Sequence, residues 1–186
     1  MNKNIILSTI LASTLIFSNI THADDNAIQT DQLNHWSVGV GSYAFTLSND
    51  SNSNGDFDFS GLNFSAGYAF NNHFQIRATY FSLENDELSS FESTGFDLMA
   101  YGGVGLAEPG FRGYGGAGFF SDEWSLSSDT ESFSGIQFGG GLGYNWGPAA
   151  LDFVLTLRQA DKYEDFMYVS GTYFAMSGNL NISYLF

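Results

Sequence analysis

Past residue 34 the chain alternates apolar and polar residues in one short segment after another. Side chains of a strand point to opposite faces in turn, so strict alternation marks a strand with one apolar and one polar face. Eight such segments can be followed. The first, 35–47, sets Trp36, Val38, Val40 and Ala44 against Ser37, Gly39, Gly41 and Tyr43. The second, 60–70, sets Leu62, Phe64, Ala66, Tyr68 and Phe70 against Asn63, Ser65 and Gly67; the third sets Phe74, Ile76, Ala78 and Tyr80 against Gln75, Arg77 and Thr79. The fourth, 94–106, carries Phe96, Leu98, Ala100, Val104 and Leu106 opposite Asp97, Met99 and Tyr101. The fifth, 111–121, is glycine-rich, with Phe111, Ala117 and Phe119 opposite Arg112, Tyr114 and Phe120. The sixth, 133–146, opposes Ile136, Phe138, Leu142, Tyr144 and Trp146 to Gln137, Gly139, Gly141, Gly143 and Asn145. The seventh alternates Leu151, Phe153, Leu155 and Leu157 with Asp152, Thr156 and Arg158, and the eighth runs from about Tyr168 to Phe186.

The connections alternate in length. Asn71-Asn72, Glu108-Pro109-Gly110 and Gly147-Pro148 make tight turns, whereas 48–59, 85–93, 122–132 and 159–167 read as longer, acidic loops. Segments of about 9 to 11 residues suit strands that cross a bilayer obliquely, and an even number closes into an antiparallel barrel. A soluble barrel would have to bury the large aromatics and leave Arg77, Asp97, Asp152 and Arg158 in water. The pattern therefore points to an all-β, eight-stranded, up-and-down transmembrane barrel with its apolar face outward.

Both ends of the chain agree with export to a membrane. Lys3, the diluted apolar run Ile5 to Ile20 and the small-residue site Thr21-His22-Ala23 read as a secretory signal peptide, cleaved after Ala23. The expected organisation is signal peptide 1–23, a short periplasmic segment 24–34 and a barrel 35–186. The closing run Leu180, Ile182, Tyr184 and Phe186 resembles the C-terminal strand of bacterial outer-membrane barrels, the segment their insertion machinery reads. With the eight-segment pattern, the chain resembles the small eight-stranded outer-membrane barrels, a porin-like group that includes the transmembrane domain of outer-membrane protein A and the OmpX-like proteins. The resemblance implies a bacterial outer-membrane, cell-surface location. No tethering, cell-wall-binding domain is expected after the last strand.

Composition fits this class. The chain has 22 Gly, 19 Phe, 10 Tyr, only 2 Pro and no Cys, so strands and tight turns are favoured and disulfides are excluded. Loss of Lys3 leaves four basic residues against twenty acidic ones, 4 − 20 = −16 with His neutral, which excludes nucleic acid as a partner.

Three of those four basic residues, Arg77, Arg112 and Arg158, share the inward face with Asp97 and Asp152. A barrel of eight strands is only wide enough for side chains to fill. The expected network is Arg77 and Arg112 with Asp152 low in the barrel and Asp97 with Arg158 nearer the outer rim, forming a polar plug. Inward Gly103, Gly105, Gly116, Gly118, Gly139, Gly141 and Gly143 make room for Tyr101 and Tyr114 or line a cavity. Trp36, Phe70, Phe74, Phe111, Trp146, Tyr184 and Phe186 form the expected periplasmic-side aromatic girdle. Phe57, Phe59, Phe91 and Trp124 are expected at the opposite rim.

Residues 50–58 match part of a calcium loop, with oxygen ligands at Asp50, Asn52, Asn54, Asp56 and Asp58 and glycine at Gly55. Gly61 stands where the bidentate Glu belongs and no helices flank the motif, so a solvated hairpin is preferred and no cofactor is expected. Hydrolytic chemistry wants a nucleophile with a base in reach. The two remaining histidines, His35 and His73, fall at the periplasmic ends of strands one and three, and the acid pairs Glu84 with Asp86 and Asp122 with Glu123 read as solvated loop residues. The expected function is therefore structural or surface-interactive, by a monomer whose acidic loops meet lipopolysaccharide, cations or other surfaces. A narrow channel for ions or very small solutes is the alternative, and an outer-leaflet lipid-modifying enzyme the third reading.

Overall fold

The computed structural model describes residues 34–50, 56–88, 90–126, 129–166 and 171–186. The signal peptide and almost all of the N-terminal segment read from the sequence lie outside these residues. Eight strands, β1 (Trp36–Asn49), β2 (Phe57–Asn71), β3 (Phe74–Asn85), β4 (Phe91–Val104), β5 (Gly110–Leu126), β6 (Asp129–Asn145), β7 (Ala149–Arg158) and β8 (Tyr173–Leu185), pair antiparallel in chain order. β1 returns to β8 and closes the barrel, with Ser37 opposite Leu185 and Asn49 opposite Tyr173. The seam is fastened at its end by two reciprocal backbone hydrogen bonds between Trp36 and Phe186, each 2.9 Å. Closure leaves the sheet no lateral edge along the paired length. No helix among the described residues is long and apolar enough to cross a membrane.

Two ends are distinguishable. The turn end holds both chain termini of the barrel and the connections at 72–73, 105–109 and 146–148, including both prolines. At this end Asn71 caps its turn by accepting the amides of His73 and Phe74 through Oδ1, at 2.7 and 2.9 Å. The loop end holds the β1–β2, β3–β4, β5–β6 and β7–β8 connections, the last carrying a short helix, α1 (Asp161–Phe166).

The outward face is apolar over most of its height. Leu62, Phe64, Ile76, Leu98, Phe119, Phe138, Leu142, Phe153, Leu155, Leu157 and Leu180 all stand exposed on the wall. Inward residues are mostly buried; polar and charged side chains fill the middle and turn half together with a small cluster of Met99, Tyr101, Leu106, Tyr114 and Val154, and aromatics dominate toward the loops.

Several boundaries differ from the sequence reading. Residues 122–132 are not a long loop, because β5 and β6 continue as a ladder to the pair Leu126 and Asp129. β4 ends at Val104, and Leu106 turns inward and is buried instead of facing out. β8 starts at Tyr173, so residues 159–166 are helix and linker, and residues 167–170 lie outside the described set. The aromatics expected at the outer rim are mostly inside it. Phe59 and Trp124 are buried, with Phe57 and Phe91 packed on them, in a cluster with Tyr43, Phe45, Leu47, Phe81, Phe120, Phe133, Tyr163 and Tyr173.

Candidate functional site in the barrel lumen

Six charged side chains are buried among the described residues, Arg77, Arg112 and Arg158 with Asp97, Asp122 and Asp152. Three positive and three negative charges make the interior formally neutral, so the large negative charge of the chain resides outside the lumen. A buried charge is tolerated only when paired and hydrogen-bonded, and the six divide into two groups.

In the turn half, Asp152 on β7 is fully buried and receives Arg77 at 3.5 Å and Arg112 at 3.4 Å. Tyr114 on β5 donates to the other oxygen of Asp152 at 3.0 Å and accepts from Arg77 at 3.2 Å. Gln75 accepts from both arginines, and the carbonyl of the tucked-in Leu106 accepts from Arg112 at 3.4 Å. Tyr101 and Tyr114 meet edge to face at 4.9 Å, and the Arg77 guanidinium lies 5.4 Å from each ring. Glycine makes this fit possible. A Cβ at Gly141 would come within 2.7 Å of the Tyr114 ring, and one at Gly116 within 2.9 Å of Tyr101.

In the loop half, Arg158 on β7 donates to Asp97 at 2.8 Å and to the Tyr43 hydroxyl at 2.8 Å, and pairs with Asp122 at 3.4 Å. Tyr43 donates onward to Asp97 at 2.6 Å. The guanidinium sits 5.0, 5.1 and 4.8 Å from the rings of Phe45, Phe81 and Phe120, enclosed by apolar edges. Asp122, which the sequence reading placed in a solvated loop beside Glu123, points inward while Glu123 points out.

Above Arg158 the mouth is closed by α1. Its Tyr163 is fully buried, stacked on Phe133 at 4.6 Å, close to Trp124 at 5.4 Å and Phe45 at 5.7 Å. The Tyr163 hydroxyl lies 2.9 and 3.1 Å from the Asp122 carboxylate oxygens. Burial pushes this hydroxyl well above the usual tyrosine range; Arg158 pulls it down and Asp122 pushes it further up. Tyr163 therefore stays protonated and donates to Asp122. No sequence signal marked it, since a six-residue helix in a polar linker leaves no periodicity to read.

The seven girdle residues named from the sequence stand exposed at the turn end, Trp36, Phe70, Phe74, Phe111, Trp146, Tyr184 and Phe186. Tyr68 bridges Trp36 and Phe70 at 4.8 and 5.0 Å, Phe74 follows Phe70 at 5.4 Å, and Tyr184 stacks on Phe186 at 5.8 Å. His35 and His73 are also at this end, each with Nδ1 against a backbone carbonyl, of Ala69 and Gly103 respectively.

The calcium-loop match divides differently from a metal loop. Ser51 to Gly55, including Asn52 and Asn54, lie outside the described residues. Asp58 stands on β2 and accepts from Thr46 at 2.8 Å, Asp56 accepts the Asn49 amide at 2.8 Å, and Asp50 accepts the Thr172 amide at 3.2 Å. No group of three or more His, Asp or Glu among the described residues could hold a metal ion.

A closed barrel with a greasy wall and a charged, side-chain-filled interior has the fold of the small eight-stranded outer-membrane barrels. Among solved structures, Neisserial surface protein A is similar to the chain with a TM-score of 0.61 at 16% identity, over 81% of this chain and 97% of that one. The outer membrane protein OprG from Pseudomonas aeruginosa gives 0.54 at 12% identity, over 83% and 97%. Ail, the attachment invasion locus protein of Yersinia pestis, gives 0.51 at 19% identity, over 83% and 99%. No family model matches the sequence, and no match to it is found among curated proteins.

Proposed function

We propose that the chain is an outer-membrane barrel of a Gram-negative bacterium, exported through residues 1–23, whose lumen is sealed and whose acidic loop end is its working surface. The observation that carries this reading is the filled interior. Two ion-paired clusters and an aromatic stopper ending at Tyr163 occupy the lumen of a barrel that is only wide enough for side chains. With the lumen closed, what distinguishes the molecule is its surface, and the two ends differ sharply in charge. The described loop end carries thirteen carboxylates outside the lumen (Asp50, Asp56, Asp58, Glu84, Asp86, Glu87, Glu92, Glu123, Asp129, Glu131, Asp161, Glu164 and Asp165) against Lys162, whereas the turn end carries Glu108.

In this reading the turn end faces the periplasm, the girdle from Trp36 to Phe186 sits at that interface, and β8 is the strand that the insertion machinery engages. The lumen charges are structural, and the loops meet cations, lipopolysaccharide or another surface as a monomer. The role is non-catalytic, in keeping with the two described histidines, His35 and His73, which lie at the turn end against backbone carbonyls. Single-channel recording of the refolded chain in planar bilayers tests the sealed lumen. Current should stay at background; stepwise openings in the unmodified protein would favour the narrow-channel reading instead.

A further inference from the structure

The wall carries a groove of about 390 Å³ between β2 and β3, at the level where the outward residues change from apolar to polar. Its lower half is formed by Leu62, Phe64 and Tyr80, its upper half by Ser60, Ser82 and Glu84. The register explains the hollow. Phe64 faces Tyr80, Leu62 faces Ser82 and Ser60 faces Glu84, so two short serine side chains sit diagonally across the ladder above the large Phe64 and Tyr80. The volume is within the roughly 300 to 1,000 Å³ usual for small-molecule sites. An occupant must be amphiphilic, with its chain directed toward the turn end and its polar head toward the loops.

The charge around the groove selects the head. Glu84 lines it, Asp86 accepts the Ser60 hydroxyl at 2.7 Å on its rim, and Glu92 faces Glu84 across the β3–β4 ladder. Between Lys3 and Arg112 the chain has no basic residue but Arg77, and Arg77 points into the lumen. A bare lipid phosphate is therefore repelled here. A divalent cation takes about six or more oxygen ligands, and no group of three or more acids among the described residues could hold one, so a bridging cation would draw most of its shell from lipid phosphate and water. A primary ammonium needs only three acceptors, which Glu84 and the two serine oxygens can provide.

We propose that this groove binds an outer-leaflet lipid bearing a primary ammonium head, the ammonium at Glu84, Ser60 and Ser82 and the first acyl carbons along Leu62, Phe64 and Tyr80. The site rests on the membrane placement proposed above and adds a specific lipid class to it.

The test uses the full chain refolded into phosphatidylcholine vesicles containing a few per cent of a diazirine-tagged guest lipid, either phosphatidylethanolamine, phosphatidylcholine or phosphatidylglycerol. Crosslinks are mapped by peptide mass spectrometry, and heat-modifiable gel mobility reports folding separately. The ethanolamine lipid should label residues 60–84 several-fold more than the choline lipid, which has charge but no N–H to donate. Glu84→Gln should bring the two to the same level, and Ser82→Phe, which fills the hollow from outside the core, should abolish labelling by both. Equal labelling of a folded, inserted barrel by the ethanolamine and choline lipids would overturn the site while leaving the membrane placement intact. So would phosphatidylglycerol labelling that appears only with magnesium, because that identifies a cation-bridged phosphate. A chain that stays outside the vesicles would overturn both readings.

Discussion

The hydroxyl of Tyr163 lies 2.9 Å from one carboxylate oxygen of Asp122, and Asp122 pairs in turn with Arg158 at 3.4 Å. A residue of the β7–β8 connection thus completes a charge network whose other members are on strands. The stopper and the ion pairs form one unit, in which Tyr163 donates to Asp122, Asp122 pairs with Arg158 and Arg158 pairs with Asp97.

That coupling can be measured. Tyr163→Phe keeps the ring in its stack on Phe133 and removes the donor to a buried carboxylate, a loss of about 1.5 to 3 kcal/mol for a hydrogen bond to a charged group. Tyr163→Ala also removes the ring and should cost about 3 to 5 kcal/mol, as other buried aromatic deletions do. Urea titration followed by the heat-modifiable gel band gives both values. Equal stability of Tyr163→Ala and the parent chain would show that α1 does not seat in the mouth.

Alkaline stability follows from the same residue. Unfolded tyrosine ionises near pH 10, while folded Tyr163 is held well above that value, first by burial. A raised folded value means that the contribution is fully present below pH about 10 and is lost as pH climbs toward the folded value, because only the unfolded state releases the proton there. Between about pH 10 and 11.5 the parent chain should therefore lose stability more steeply than Tyr163→Phe, with the two curves parallel below about pH 9. Parallel curves throughout would place the hydroxyl in water.

The two charge clusters should respond unequally to loss of a carboxylate. Among the described residues Asp152 is the only acid paired with Arg77 and Arg112, so Asp152→Asn leaves two buried guanidiniums facing each other, a loss of about 3 to 5 kcal/mol or failure to refold. Asp97→Asn leaves Arg158 paired with Asp122, and its cost should be clearly smaller. Refolding yields and urea midpoints of the two variants decide the order. If Asp97→Asn proves the more damaging, the 2.8 Å pair with Arg158 outweighs the doubly paired aspartate.

What the sequence made legible depends on where the apolar band of the wall ends. On β3 and β7 strict alternation set the inward arginines and Asp152 apart from Leu151, Phe153 and Leu155, because below the loop end an apolar side chain faces out. Higher on β5 the alternation continues but its meaning inverts. Ser121, Glu123 and Ser125 face outward there, and Phe120, Asp122 and Trp124 face in. A strand that leaves the apolar band keeps its register and exchanges the polarity of its two faces, so 122–132 looked like an acidic loop, Asp122 like a solvated loop residue and Trp124 like a rim residue. Tyr163 was hidden for a different reason, since its place is set by contacts with side chains of β1, β5 and β6 and by no local pattern.

Glycines on neighbouring strands give a further test of which face is packed. Gly141 points inward, and a Cβ there would stand 2.7 Å from Tyr114, itself fixed by Arg77 and Asp152. Gly102 points outward on β4, and a Cβ there would meet nothing nearer than a carbonyl at 3.9 Å. Gly141→Ala should cost about 1 to 3 kcal/mol through overpacking, whereas Gly102→Ala should be neutral or stabilise by up to about 1 kcal/mol, because alanine loses less backbone entropy in a strand. Pairing Gly141→Ala with Tyr114→Leu should relieve the clash, yet leave Asp152 short of its 3.0 Å donor, so the double variant should recover only part of the loss. Opposite signs at the two glycines would follow from a filled lumen and an open wall; a loss at Gly102 with none at Gly141 would require the sheet to be turned inside out.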